Sequence, residues 1–151
     1  MPGDTHQLEA TFGQPRQRCW EVLTNVDTLA SWVGIVHSVE EIEHLVSYRA
    51  MLEDRVGPVR LRAPLAVTVE VTEPAVNAKI HASGKDRQVN SSITIDADMT
   101  LTDLPEGGTR MDLTASYSVA GKVAAMGRGI IPKKADKIIA EFLANSQKEL
   151  A

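Results

Sequence analysis

The stretch TRMDLTASYSV, Thr109–Val119, alternates without a break. Met111, Leu113, Ala115, Tyr117 and Val119 are apolar, while Arg110, Asp112, Thr114, Ser116 and Ser118 are polar. Successive side chains of a strand point to opposite faces, so this period of two describes a strand with one dry and one wet face. Just upstream, Ile93, Ile95, Ala97, Met99 and Leu101 alternate with Thr94, Asp96, Asp98 and Thr100 in the same way. The link Asp103-Leu-Pro-Glu-Gly-Gly108 supplies glycine for the positive φ that a tight connection needs. Together the two segments predict a long antiparallel hairpin.

The same pattern runs outward from it. Val59, Leu61, Ala63, Leu65, Val67, Val69 and Val71 share one face of a further strand, with Pro64 on the polar parity, where proline favours an edge or a bulge. Glu73-Pro74 turns the chain into Val76, Ala78, Ile80 and Ala82. Tyr48, Ala50 and Leu52 belong to a strand stopped by Gly57-Pro58; residues 39–44 pair with it, and Leu8, Ala10 and Phe12 form a first strand. About seven half-buried antiparallel strands result. Between the first and second, Pro15 to Thr24 and Asp27 to Val33 read as short helices, the first opening on proline at a first-turn position.

The last thirty residues read as one long helix, because Val123, Met126, Ile130, Ile138, Phe142 and Leu143 recur at three- and four-residue spacing. Gly121, Ala125 and Gly129 form a side-chain-poor stripe along its first half, and Pro132 removes a backbone donor. Two readings follow from the stripe: a void against the sheet with a bend at 129–132, or close helix–sheet packing with a static kink. One amphipathic helix facing one curved sheet is an α+β layer arrangement, and 151 residues suit a single domain, 1–151.

Composition narrows the function. The 16 basic and 20 acidic residues give a net charge of −4, which argues against nucleic acid as the partner. The single cysteine, Cys19, makes no internal disulfide, and the start MPGDTHQLEA has neither the basic nor the apolar region of a secretory signal; a cytoplasmic location is expected. His6, His37, His44 and His81 show no metal-ligand spacing, and no phosphate loop or nucleophile elbow occurs, so neither metal, cofactor nor catalytic residues are expected. The dry face is apolar apart from the phenols of Tyr48 and Tyr117, a pattern that suits binding a lipophilic small molecule better than acid–base catalysis. Two core tyrosines bonded to backbone carbonyls are the alternative.

The segment VAGKVAAMG, Val119–Gly127, followed by a helix carrying Glu141-Phe142, resembles the signature of the carbon monoxide dehydrogenase G-subunit family. Phe12-x-x-Pro15 with Trp20 and Leu23, Ser38-Val39-Glu40, Val56-Gly57-Pro58 and Gly107-Gly108-Thr109-Arg110 match it as well. The chain departs from the pattern at Asn25, where the family usually has Asp, and at Gly34-Ile35, where it has Pro-Gly. The resemblance implies a helix-grip fold of the Bet v 1/START-like superfamily, with about seven curved strands wrapped around a long C-terminal helix. It also implies a non-enzymatic accessory protein that binds a quinone or lipid-like molecule and assists or recruits a molybdenum-containing dehydrogenase at the cytoplasmic membrane.

On this reading Leu52, Leu65, Ile80, Ile95 and Met99 line the cavity from the strands, and Met126 and Ile130 from the helix. Trp32, Tyr48 and Tyr117 are candidate donors to a polar head. Many family members continue into a hydrophobic anchor beyond the point where this chain ends, so the expected membrane contact is weak and peripheral, through Lys133, Lys134 and Lys137. Two other functions stay open: a polyketide cyclase/aromatase-like enzyme, which needs an inward acid or base, and a ligand-free protein–protein adaptor.

Overall fold

The structure, a computed structural model, describes residues 5–151; residues 1–4 of the expected domain lie outside it. Seven strands form one antiparallel sheet: β1 (Thr5–Phe12), β2 (Val36–Glu43), β3 (Ser47–Val56), β4 (Val59–Glu73), β5 (Asn77–Asp86), β6 (Ser91–Asp103) and β7 (Thr109–Gly121). Their spatial order is β1-β7-β6-β5-β4-β3-β2, so every neighbour after β1 is a hairpin partner. The short helices α1 (Arg16–Leu23) and α2 (Val26–Trp32) connect the two sheet edges. This is the α+β helix-grip architecture.

Local chemistry accounts for the joints. Gly107, at φ +95°, closes the β6–β7 loop, where the Leu104 amide donates to the Gly108 carbonyl at 2.9 Å. Asn25 caps α2, its side-chain oxygen accepting from the Thr28 amide at 3.2 Å, so the departure from aspartate keeps the cap. Pro64 lies just beyond the last β4–β5 pair, Leu65 with Gly84, so β4 is locally an edge there. Further along β4, the buried Asp86 carboxylate takes over the ladder by accepting from the Arg62 amide at 2.8 Å.

The expected single long helix is two. α3 (Lys122–Met126) and α4 (Ile131–Glu149) are separated by residues 127–130. The break has two causes. Gly127 is buried where any Cβ would meet Val56, Ile131 and the Val123 carbonyl, so the first helix runs hard against β3. Pro132 then falls in the first turn of α4, where its missing amide costs no bond. Of the stripe, Ala125 and Gly129 face solvent, an added Cβ at Gly129 meeting nothing within 4 Å, whereas Gly121 ends β7, where an added Cβ would press on the Asn90 carbonyl. The close-packing reading therefore holds at Gly127, and the stripe makes no void.

Two apolar clusters fill the concave side. The first packs Phe12, Cys19, Trp20, Leu23, Met99, Leu101 and Met111 under the second half of α4, where Phe142 meets Trp32 edge-on at 5.9 Å. The second gathers Leu52, Val56, Leu61, Leu65, Val119 and Val123 towards α3 and the start of α4. The far end of α4 is tied down: the Leu150 carbonyl accepts from the Gly13 amide at 3.1 Å, and the Ala151 carbonyl from the Gln14 side chain at 2.9 Å.

Candidate functional site: an apolar cleft under the first half of the long helix

A cleft of about 330 Å³ lies between the second cluster and the first half of α4. Its floor is Leu52, Leu61, Leu65, Ile93, Ile95 and Val119; α4 roofs it with Ile131, Ala135, Ile138 and Ile139; Val33, Ile35 and Val36 close one side. Its exposed wall is almost entirely carbon. The volume is that of a small-ligand pocket, equivalent to roughly ten waters. Along α4 the small Ala135 fronts the cleft, whereas Phe142 and Leu143 two turns later pack against the first cluster. A larger depression of about 580 Å³ sits outside, but Glu53, Arg60, Arg62, Asp86 and Lys122 line it. Charges keep such a groove hydrated, so it offers an apolar molecule no gain.

Of the residues expected to line a cavity, Leu52, Leu65, Ile95 and Tyr117 meet in this cleft. The other six lie elsewhere. Met99 and Trp32 belong to the first, solid cluster; Met99 is four residues along β6 from Ile95, about 13 Å away. The void thus lies against the Ile93–Ile95 end of β6 only. The Tyr48 hydroxyl accepts from the Leu45 amide at 2.6 Å, capping a turn that Leu45 enters at φ +57°. Ile80 is half-buried on β5 away from the cleft. Met126 is 45% exposed on α3, and Ile130 packs at the break between the helices, close to Gly57.

Two polar features of the cleft escape the sequence pattern. His6 continues the inward parity of Leu8, Ala10 and Phe12, pairs with Ala115, and lies parallel to the Tyr117 ring at 6.2 Å. Its Nε2 is buried without a hydrogen-bond partner, the sole such side-chain atom among the described residues. Asp54 continues the parity of Ala50 and Leu52, and its carboxylate accepts from Lys134 Nζ at 3.1 Å across the opposite wall. In both cases a signal exists: the inward parity takes in these positions too, His6 ahead of Leu8 on β1 and Asp54 between Leu52 and Val56 on β3.

The remaining reactive groups are inert or surface-bound. Burial pushes the Cys19 thiol up from its ordinary value, and its Sγ lies 3.6 Å from the Gln14 carbonyl, the setting of a structural cysteine. His81 faces outward beside Asp96. Among the described residues no group of three His, Cys, Asp or Glu is placed to hold a metal ion, and no helix is long and apolar enough to cross a membrane.

Solved structures share this architecture. A conserved protein from Geobacillus kaustophilus superposes with a TM-score of 0.78 at 22% identity, covering 99% of this chain and 95% of its own. A protein from Thermus thermophilus gives 0.69 at 14% identity, over 97% of both chains. A START superfamily protein from Mycobacterium smegmatis gives 0.68 at 7% identity, over 97% of this chain and 96% of that one. At such identities the likeness shows the fold alone. Among curated proteins no sequence matches. The family model for the G subunit of carbon monoxide dehydrogenase (CoxG) matches residues 9–151, which takes in nearly all of the sheet, both short helices and the whole grip helix, and the chain therefore belongs to that family.

Proposed function

We propose that this protein is a non-enzymatic carrier that holds a lipophilic molecule, quinone or lipid-like, in the cleft under α4 and serves a molybdenum-containing dehydrogenase. The observation that carries this reading is the carbon-lined cleft of about 330 Å³. Family membership supports an accessory role rather than a catalytic one. Burial of an apolar tail contributes about 25 cal/mol per Å², so shape and dryness alone supply affinity. The test is mass spectrometry of an organic extract of the purified protein, paired with titration of an environment-sensitive apolar fluorophore. A co-purifying lipophile, or saturable binding that the extract displaces, is the expected result. A clean extract with no probe binding turns the reading towards the ligand-free adaptor.

Loading from a bilayer requires approach to it, and the break between α3 and α4 supplies a face for this. Met126, Arg128 and Lys133 are exposed there. Of the three lysines marked in the sequence, Lys134 is engaged by Asp54, and Lys137 lies 4.0 Å from Glu141, so Lys133 is the least encumbered. Each basic residue near an anionic surface contributes about 1 kcal/mol, within a Debye length of about 8 Å. Co-sedimentation with phosphatidylserine vesicles is expected at low salt and lost at high salt. A variant with Arg128→Ala and Lys133→Ala should bind up to about thirty-fold more weakly. Sedimentation insensitive to both salt and substitution removes the electrostatic mechanism.

A second reading has one observation in its favour. A cyclase-like enzyme needs an inward base, and His6 on the cleft wall is an imidazole in that position. Turnover of an aromatic polyketone by the native chain, absent in His6→Phe, would establish it.

A further inference from the structure

The cleft is nearly all carbon, yet one of its wall atoms is a polar nitrogen with nothing to bond. His6 Nε2 is buried and unpartnered. Buried polar atoms are satisfied in the great majority of cases, so an exception calls for a physical account. Its ring plane is held by the parallel Tyr117 ring at 6.2 Å and by the backbone pairing of His6 with Ala115. The nitrogen is therefore presented at a fixed place rather than free to swing out to water. The charged groups on the wall, Asp54 and Lys134, already satisfy each other at 3.1 Å. His6 also precedes residues 9–151, the span matched by the family model, so this feature is read from the geometry of this chain and not from the family pattern.

We infer that His6 Nε2 is the recognition point for an oxygen function on an otherwise apolar guest, and that the cleft takes molecules with a hydrocarbon body and a carbonyl or hydroxyl placed at the β1–β7 end. In one tautomer a neutral imidazole donates from Nε2 to a carbonyl oxygen; in the other, Nε2 accepts from a hydroxyl. Either bond restores the partner that burial removed. A guest of pure hydrocarbon leaves the nitrogen unsatisfied, so the site discriminates by the cost of that orphan as well as by the bond gained. The inference rests on the cleft being a ligand site and adds the residue that recognises the oxygen of its guest.

Three shape-matched probes separate the possibilities: 2-acetylnaphthalene, 1-(2-naphthyl)ethanol and 2-isopropenylnaphthalene, which place C=O, C–OH and C=CH₂ at the same position. Dissociation constants are measured for the native chain, for His6→Phe and for His6→Gln, which keeps a hydrogen-bonding group at similar reach. The preference for an oxygenated probe over the alkene should be about five-fold greater in the native chain than in His6→Phe, and His6→Gln should recover part of it. A gain by the ketone identifies Nε2 as the donor, and a gain by the alcohol alone identifies it as the acceptor. In the native chain the His6 ¹⁵Nε2 resonance should move on saturation with that probe and stay put with the alkene; this readout stands even if His6→Phe fails to fold. Equal preference in the native chain and His6→Phe, or an unmoved resonance, overturns the recognition role while leaving the apolar cleft intact. No binding of any probe overturns the carrier reading and the recognition role together.

Discussion

Replacing Gly121 by alanine is expected to lower the melting temperature by roughly 10 °C, corresponding to about 3–5 kcal/mol. Gly121 ends β7 at φ 88°, ψ −154°, a region that only glycine occupies without strain. An added Cβ would also press on the carbonyl of Asn90 and approach Ser91 Cα to 3.0 Å. Those neighbours cannot retreat, because they hold the start of α3. The Lys122 amide donates to the Asn90 carbonyl at 3.2 Å and the Val123 amide to Ser91 Oγ at 2.9 Å. Alanine therefore sets the strand-to-helix turn against the cap of the helix it introduces. Gly129→Ala is the control: nothing lies within 4 Å of its added Cβ, and a smaller unfolded-state entropy should leave stability equal or about 0.5 kcal/mol higher. A melt in which both variants behave alike would refute the steric account.

The second large effect is on binding. Ala115 and Ala135 face the cleft from β7 and α4, so Ala115→Phe and Ala135→Phe put a phenyl ring into space that a guest would use. Each should weaken a bound lipophile by about tenfold or more. The melting temperature without ligand should change little, because added volume costs least where a void receives it. Stabilisation by ligand gives the readout. At a concentration of 100 times the native Kd the native chain gains about 2.7 kcal/mol, and a tenfold weaker variant about 1.4 kcal/mol. Met126→Phe, on an exposed position of α3, should match the native chain. The same enlargement at Gly127, by contrast, would damage the fold, since Val56 and Ile131 already occupy that space. Full ligand-induced stabilisation in both Ala115→Phe and Ala135→Phe would place the guest elsewhere.

The strands are legible in the sequence because a half-dry sheet writes a period of two, and six of the seven carry it. In β2 the apolar Val36, Val39 and Ile42 fall three apart, across two register shifts. Parity also tells which side chains face inward, but not where along a strand the packing loosens. Leu101, Met99 and Ile95 share a face, yet the first two are sealed under the Trp20 cluster and the third fronts the cleft. That distinction depends on which turn of α4 lies opposite, a long-range matter that no local pattern encodes. His6 and Asp54 escape for another reason: apolar spacing selects only apolar residues, although the inward parity also takes in His6 ahead of Leu8 and Asp54 between Leu52 and Val56. The helix break is half legible. Gly127 and Pro132 announce a defect, but the apolar spacing continues across it on both sides, so periodicity alone joins two helices into one.

The uneven fastening of α4 gives the molecule a stiff end and a compliant one. From Phe142 to Leu150 the helix is wedged among aromatic rings and stitched to the β1–α1 link through Leu150 and Ala151. From Ile131 to Ile139 it bridges empty space, held on its flank by the ion pair of Lys134 with Asp54. Local opening free energies follow the density of buried contacts, so fluctuation concentrates at the end above the cleft. On the proposed carrier reading, the route for a guest is a hinge-like excursion of the two turns above the cleft, with the aromatic end as the fulcrum. A guest seated there would supply contacts that these turns lack and even out the stiffness of the helix. On that same reading, occupancy would register as a change in stiffness at the near end of α4, beside the α3–α4 break.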